Sequence, residues 1–142
     1  MTIEQLTGNF ELLGDWEERY AYLIDLGKKL PALPEADKVD ANRVHGCQAA
    51  VWLKLTRDAT HPEHIRIQAD SNAAIVRGLV AVLVLLFDNK TPAEIAAVDA
   101  KSILGNLRLE QHLSPTRKNG LFAMVERIRR EAVLTQSGAV AP

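Results

Sequence analysis

The N-terminal part of the chain distributes its apolar residues with the period of an α-helix. A short helix is predicted first, followed by a longer one that begins at Asp15, with Glu18 three residues on as in a capping box. The apolar residues of the longer helix recur at spacings of three and four, at Trp16, Tyr20, Leu23, Ile24 and Gly27. This face is predicted to pack on the core.

In the middle of the chain the period changes to two, which is typical of half-buried β-strands. Apolar and polar residues alternate through a first run, 51–56, and through a second run, 65–68, and the polar turn 58–64 joins them. A short strand over 42–45, ending before Gly46, is predicted to precede both. The pattern therefore predicts a three-stranded antiparallel meander.

Helical periodicity returns after the strands. The segment from about 72 to 87 is apolar around nearly its whole circumference, which predicts a buried helix. Thr91 as N-cap, Pro92 at the first helical position and Glu94 two residues later predict another helix start. The last helix is predicted to begin at Ser114, which is also followed by a proline. Its apolar residues form one stripe, at Leu121, Val125, Ile128 and Ala132. A small antiparallel sheet with helices on one side is an α+β fold.

The composition indicates one domain over residues 1–142. Hydrophobic residues make up 47% and charged residues 25% of the 142, as in ordinary globular domains, and this length suffices for one core. We find no internal repeat and no low-complexity linker. The segment 31–42 is expected to be a connecting loop, and the tail 135–142 is expected to fray.

Charge and hydropathy argue against two classes of partner. Seventeen basic and 18 acidic residues give a net charge of −1, and no basic run exceeds two residues, so nucleic acid is not expected. The N-terminus lacks a basic region followed by an apolar run. The most apolar segment, 73–87, contains Arg77 and is shorter than the roughly 18–20 residues of a membrane helix. We therefore expect a soluble cytoplasmic protein.

The chain contains a single cysteine, Cys47, at the predicted bend between two strands. It lies between Gly46, which permits a positive φ, and Gln48. In a meander the end of the third strand returns to this bend, so segment 69–73 is predicted to lie beside the cysteine. One cysteine cannot close an internal disulfide, so a redox role needs sulfur from another molecule.

Segment 69–73 also opens the predicted buried helix, whose free N–H groups favour a nearby anion. Three of its residues are possible caps, namely Asp70, Ser71 and Asn72. We expect the Asp70 carboxylate to be engaged in capping, because it would raise the pKa of a thiol that it faced. An ordinary thiol has a pKa of about 8.5. From the residues alone, Cys47 is either a small core hydrophobe or a nucleophile that a partner activates.

Four blocks of the sequence carry recognisable motifs. They are VHGCQAAVWL (44–53), ADSNAAIVRGLVAVL (69–83), TPAEI (91–95) and HLSPTRKNGLFAMVERIR (112–129). Together they closely resemble the SufE/CsdE family of cysteine desulfuration proteins, in order, from residue 15 to about residue 130. Members often have GCQS and GDSDA where this chain has Ala49, Ala69 and Asn72.

The resemblance implies a sulfur carrier and activator, not an enzyme in its own right. Members accept sulfane sulfur from a pyridoxal-phosphate cysteine desulfurase, SufS or CsdA, stimulate it, and pass sulfur to a scaffold or other acceptor for iron–sulfur cluster assembly. They share the fold of IscU-type scaffolds. By this resemblance Cys47 forms the persulfide, and the chain itself holds no cofactor. The alternative is a non-catalytic regulator that only binds the desulfurase.

Further residues are expected to support Cys47. Those near its loop are His45, Gly46, Gln48, Asp70 and Ser71. Arg117 lies in the first turn of the last helix, where the helix dipole disfavours a cation, so it forms either an ion pair or an anion or partner contact. A metal cluster is not expected, because one cysteine cannot supply three or four ligands. The Cys47 loop is expected to be shielded in the free protein and extended in the desulfurase, and monomer and homodimer both remain open.

Overall fold

The computed structural model describes residues 1–47 and 49–137, which form seven α-helices and two β-strands. The helices are α1 (Ile3–Leu12), α2 (Trp16–Lys29), α3 (Ala74–Phe87), α4 (Pro92–Ala97), α5 (Ala100–Asn106), α6 (Leu109–His112) and α7 (Pro115–Ser137). The strands are β1 (Val51–Arg57) and β2 (Ile65–Ser71). None of the described helices is both long and apolar enough to cross a membrane.

The two strands pair antiparallel along their whole length, from Val51 opposite Ser71 to Arg57 opposite Ile65. Alternate apolar side chains of both strands are buried, as their period of two predicts, and these are Val51, Leu53, Ile65, Ile67 and Ala69. At the end of β2, Asp70 and Ser71 are buried as well. Helix α3 packs against β2 and helix α7 against β1. The α+β prediction is therefore confirmed, with a smaller sheet than expected.

The prediction of a third strand over 42–45 is wrong. Within the described residues, Arg43 makes one isolated bridge to Trp52, and no ladder extends from it. The cause lies on both sides of Arg43. A 3₁₀ turn, Asp40–Asn42, precedes it, and Gly46 turns the chain away with a φ of 93°. The segment is therefore long enough for one bridge but too short for a strand.

Helices α2 and α3 approach each other at two glycines. A Cβ atom on Gly78 would lie 2.2 Å from the carbonyl oxygen of Leu23, and one on Gly27 would lie 2.8 Å from the Gly78 nitrogen. Because both glycines lack this atom, the two backbones come into direct contact. Leu23 and Gly27 are buried in this contact, as the predicted apolar face of α2 requires.

The predicted helix starts agree with the structure where a side chain caps the helix. The Asp15 carboxylate accepts a hydrogen bond from the Glu18 N–H at 2.8 Å. Thr91 forms the full capping box with Glu94, and the Ser114 hydroxyl accepts from the N–H three residues on. These starts were predictable because the cap and its partner are only three residues apart.

Two predicted boundaries need correction. Helix α3 begins at Ala74 instead of residue 72, and its N-cap, Ala73, offers no side-chain hydrogen bond. Helix α7 continues to Ser137, so residues 135–137 are helical where a frayed tail was predicted; residues 138–142 lie outside the described part of the chain. The end of α7 is held by Arg57, whose guanidinium donates to the carbonyls of Thr135 and Gln136.

Candidate functional site

Cys47 lies half-buried in the loop before β1, packed on helix α7. Its Sγ is 3.6 Å from the carbonyl oxygen of Gly120, within reach of a weak S–H···O hydrogen bond. One turn further along α7, the Cβ of Ala123 is 3.7 Å from where a Cβ on Gly46 would lie. The Gly46–Cys47 backbone therefore rests on a face of α7 that carries very small side chains.

A cavity of about 290 Å³ opens beside the cysteine. Its apolar walls come from Val76 and Leu79 of α3 and from Met124 of α7. Thr116 and Arg117, both exposed, form its polar edge. The arrangement places a sulfur atom between an apolar recess and a cationic rim.

Burial is the dominant influence on the thiol. It raises the pKa of Cys47, and the positive charge of Arg43 lowers that pKa to a smaller extent. The Arg43 guanidinium is itself held near the Trp52 ring, 5.9 Å from its centroid. At neutral pH the half-buried sulfur is therefore mainly a protonated thiol, which is a weak nucleophile.

The C-terminal end of the cysteine loop is fixed by the end of β2. Asn72 accepts from the Ala50 N–H through Oδ1 at 3.1 Å and donates its own N–H to the Ala50 carbonyl at 3.3 Å. The Ser71 hydroxyl donates to the same carbonyl at 2.7 Å. The predicted neighbour segment thus contacts the loop at Ala50, while the cysteine itself contacts α7. SufE/CsdE members often have an aspartate at the position of Asn72. The amide oxygen of Asn72 accepts the hydrogen bond that the carboxylate of an aspartate would also accept.

The N-terminal end of the loop is fixed by Arg127 of α7. Its guanidinium donates to the carbonyls of Arg43 at 3.0 Å and Ala41 at 2.7 Å, and its Nε pairs with Glu131 at 3.1 Å. Together with the contacts at Ala50, these bonds anchor both ends of the loop. The segment 45–49 between the anchors carries the cysteine.

The predicted capping role of Asp70 is wrong. Its carboxylate, in a residue only 3% exposed, accepts from the Leu33 N–H at 3.0 Å and lies 3.5 Å from Arg77 and 3.6 Å from Lys38. Side chains alternate along β2, so Asp70 points away from the face of Ala69 and toward the loop 31–42. It therefore joins this loop to the sheet, with its charge compensated.

The other predicted residues lie at different distances from the sulfur. Arg117 is exposed at the cavity edge, and among the side chains that the structure describes none forms an ion pair with it. His45 is exposed, with Nε2 4.0 Å from Asp40, and makes no bond to Cys47. Gln48 lies outside the described residues. Within the described chain no three His, Cys, Asp or Glu residues are grouped to hold a metal.

Sequence reasoning missed three residues at the site. Gly120 contacts the sulfur, Arg43 influences its pKa, and Arg127 anchors its loop. A glycine inside a helical pattern was an available signal for the first, since such a glycine needs a packing reason. The two arginines gave no signal. The partners of Arg127 are distant in sequence, and the effect of Arg43 on Cys47 depends on the conformation of the loop.

Comparisons with known proteins match almost the whole chain to one family. The family model described as SufE, Fe–S metabolism associated domain, matches residues 4–132. A SufE-like protein of Rhizobium meliloti is 43% identical over 133 residues, covering 92% of this chain and 94% of its own. One of Rhizobium etli is 44% identical, covering 92% and 89%.

A solved structure shares the fold. The solution structure of a hypothetical protein from Thermus thermophilus superposes with a TM-score of 0.72 at 22% identity, covering 96% of this chain and 99% of that one. The family match and the two relatives extend over the cysteine loop, the sheet and most of α7. The chain therefore belongs to the SufE family, whose domain is associated with Fe–S metabolism.

Proposed function

We propose that this chain is a sulfur acceptor and carrier. It takes persulfide sulfur from a pyridoxal-phosphate cysteine desulfurase of the SufS or CsdA type onto Cys47, stimulates that enzyme, and delivers the sulfur for iron–sulfur cluster assembly. The observation that carries the proposal is the position of Cys47, in a loop anchored at both ends and beside a cavity. Membership of the SufE family supports the cellular context.

The transfer is a thiol exchange. The Cys47 thiol loses its proton, and its thiolate attacks the outer sulfur of the desulfurase cysteine persulfide. A bond forms between Cys47 Sγ and that sulfur, the bond to the desulfurase Sγ breaks, and the electron pair leaves on the desulfurase thiolate, which takes up a proton. No external oxidant is needed, because the sulfane sulfur keeps its oxidation level.

The absence of a second cysteine from these 142 residues suits a carrier. A neighbouring thiol would attack the persulfide, form an internal disulfide and release sulfide. Without such a thiol in the chain, the sulfur leaves only when an external thiol or another acceptor takes it. Delivery of the sulfur to the next acceptor is thereby favoured over its loss as sulfide through an internal disulfide.

Charge at the site supports the same chemistry. The exposed guanidinium of Arg117 at the cavity edge is positioned to meet an anionic group, either the persulfide or an acidic side chain of the desulfurase. The positive charge of Arg43 also favours the thiolate, since it lowers the pKa of Cys47. Because burial raises the pKa of the thiol, we expect Cys47 to move away from α7 when it reacts, between the anchors at Arg43 and Ala50.

Incubation with a cysteine desulfurase and free cysteine is expected to add one sulfur atom to this chain. Intact-mass measurement detects the addition, and peptide mapping is expected to place it in the segment 44–53. Dithiothreitol should remove it, since persulfide sulfur is reducible. A reaction without free cysteine is the control. An unmodified chain, or sulfur elsewhere in the sequence, contradicts the proposal.

Hydrogen exchange tests the movement of the loop. Amides in the segment 43–51 are expected to change their exchange rate when the desulfurase is added, because the seated cysteine leaves α7. Amides of α4, which lies outside the described cavity lining, provide the internal reference. If segment 43–51 exchanges at the same rate with and without the desulfurase, the loop does not move.

A further inference from the structure

We propose that Gly120 is a positioning residue, whose missing side chain forms the recess in α7 that seats the Cys47 sulfur. By setting how firmly the sulfur is seated, it controls the balance between a held, protonated thiol and a released, reactive one. The link to sulfur transfer rests on the proposed function of Cys47. The seat itself does not, since it is a property of the free chain.

Gly120 stands where a glycine is unfavourable. It is buried in the interior of α7, which runs from Pro115 to Ser137, and glycine is among the least favourable residues at such a position. Its φ is not positive, so the backbone conformation does not require glycine. A packing contact has to provide the reason.

The contact is with Cys47 specifically. The three heavy atoms nearest to a Cβ built on Gly120 all belong to Cys47: Sγ at 3.3 Å, and Cα and Cβ at 3.7 Å each. The latter two are ordinary van der Waals distances, whereas 3.3 Å is tighter than most real Cβ contacts. An alanine at this position therefore conflicts with the sulfur atom and with little else nearby.

The seat determines the chemical state of the thiol. Within it, the sulfur faces the Gly120 carbonyl on one side and the apolar recess of Val76 and Met124 on another. Burial favours the protonated form there. A sulfur displaced toward the exposed rim at Arg117 gains water and a cation, both of which favour the thiolate. Gly120 therefore shifts a population between two states of one loop.

Gly120→Ala is expected to make Cys47 more reactive in the free protein. Iodoacetamide should alkylate the variant about three- to tenfold faster at neutral pH, since each unit of pKa changes a small thiolate fraction about tenfold. The pH midpoint of alkylation should move down toward that of an ordinary thiol. Gly8→Ala is the matched control and should behave as the parent. Gly8 lies in helix α1, and no atom outside its chain neighbours and its own helix backbone lies within 4 Å of the added carbon. Equal rates and midpoints for Gly120→Ala and the parent overturn the proposal.

A thermal double-mutant cycle with Cys47→Ala tests the contact without any reactive thiol. Once the sulfur is removed, Gly120→Ala should raise Tm by about 3 °C, as a gain in helix propensity predicts. In the parent the same change should give a smaller rise or a fall. Equal shifts in both backgrounds overturn the proposal. If Gly120→Ala unfolds the parent, the double variant must recover the fold, and failure to recover also counts against the seat.

Sulfur uptake from the desulfurase separates this inference from the proposed function. If the seat exists but Cys47 acquires no sulfur, alkylation and the thermal cycle behave as expected while the intact mass stays unchanged, and only the carrier function fails. If Cys47 acquires sulfur but Gly120→Ala alters neither alkylation nor the cycle, only the seat fails.

Discussion

Cys47→Ser is expected to abolish both sulfur uptake and stimulation of the desulfurase. Serine is close to cysteine in size, so the loop retains its anchors at Ala50 and Arg43. Its hydroxyl is not ionised at neutral pH and cannot attack a persulfide as a thiolate does. Intact mass should show no added sulfur. Sulfide release from free cysteine, measured with dithiothreitol present, should fall to the rate of the desulfurase alone.

The serine variant also separates the carrier from a non-catalytic regulator. It should still compete with the parent chain for the desulfurase, because only one sulfur atom of the contact surface is changed. Full stimulation by the serine variant would identify the chain as a regulator whose binding alone activates the enzyme. Sulfur that persists on the variant would exclude Cys47 as the acceptor. The stimulation should be measured both without and with dithiothreitol, which reduces persulfides. The comparison distinguishes transfer of sulfur to this chain from release of sulfur as sulfide.

Gly78→Ala is expected to destabilise the fold severely. The added carbon would lie 2.2 Å from the Leu23 oxygen and 2.6 Å from its carbonyl carbon, and these backbone atoms cannot rotate away. Helices α2 and α3 would have to separate, although eight residues of α3 are buried. Overpacking of a core commonly costs about 1–3 kcal/mol, and we expect the upper end or more here. The total stability of a domain is only about 5–15 kcal/mol.

Urea denaturation of Gly78→Ala measures this cost, with Gly105→Ala as the matched control. Gly105 also lies in a helix, α5, but no atom outside its chain neighbours and its own helix backbone lies within 4 Å of an added Cβ. The control should be neutral or more stable by up to about 1 kcal/mol, the usual gain of alanine over glycine in a helix. Similar midpoints for the two variants would mean that α2 and α3 do not approach as closely as described.

Short-range interactions explain which parts of the fold were predictable. The capping residues Asp15, Thr91 and Ser114 bond to backbone groups three residues away, so the sequence around each start contains the whole interaction. Likewise, alternation along β1 and β2 needs only the geometry of a strand. The lone cysteine after a glycine, together with the surrounding motifs, sufficed to identify the family and to nominate Cys47.

The environment of the sulfur required the tertiary structure. Whether segment 42–45 formed a strand depended on where Gly46 turned the chain onto α7, and only a single bridge resulted. The Asp70 carboxylate accepts from the Leu33 N–H, 37 residues away, and from the adjacent Ser71 N–H in β2, and it does not cap helix α3. Cys47 and Gly120 are 73 residues apart, yet the glycine supplies the surface on which the sulfur rests.

The amino-acid sequence by itself thus determined helices α1 to α4 and α7, the two strands and the identity of the candidate nucleophile, because each depends on residue type and on neighbours a few positions away. The tertiary structure alone decided the surroundings of that thiol. Burial between α3 and α7, the field of Arg43 and the recess at Gly120 all depend on the relative placement of distant segments, and no local pattern records that placement.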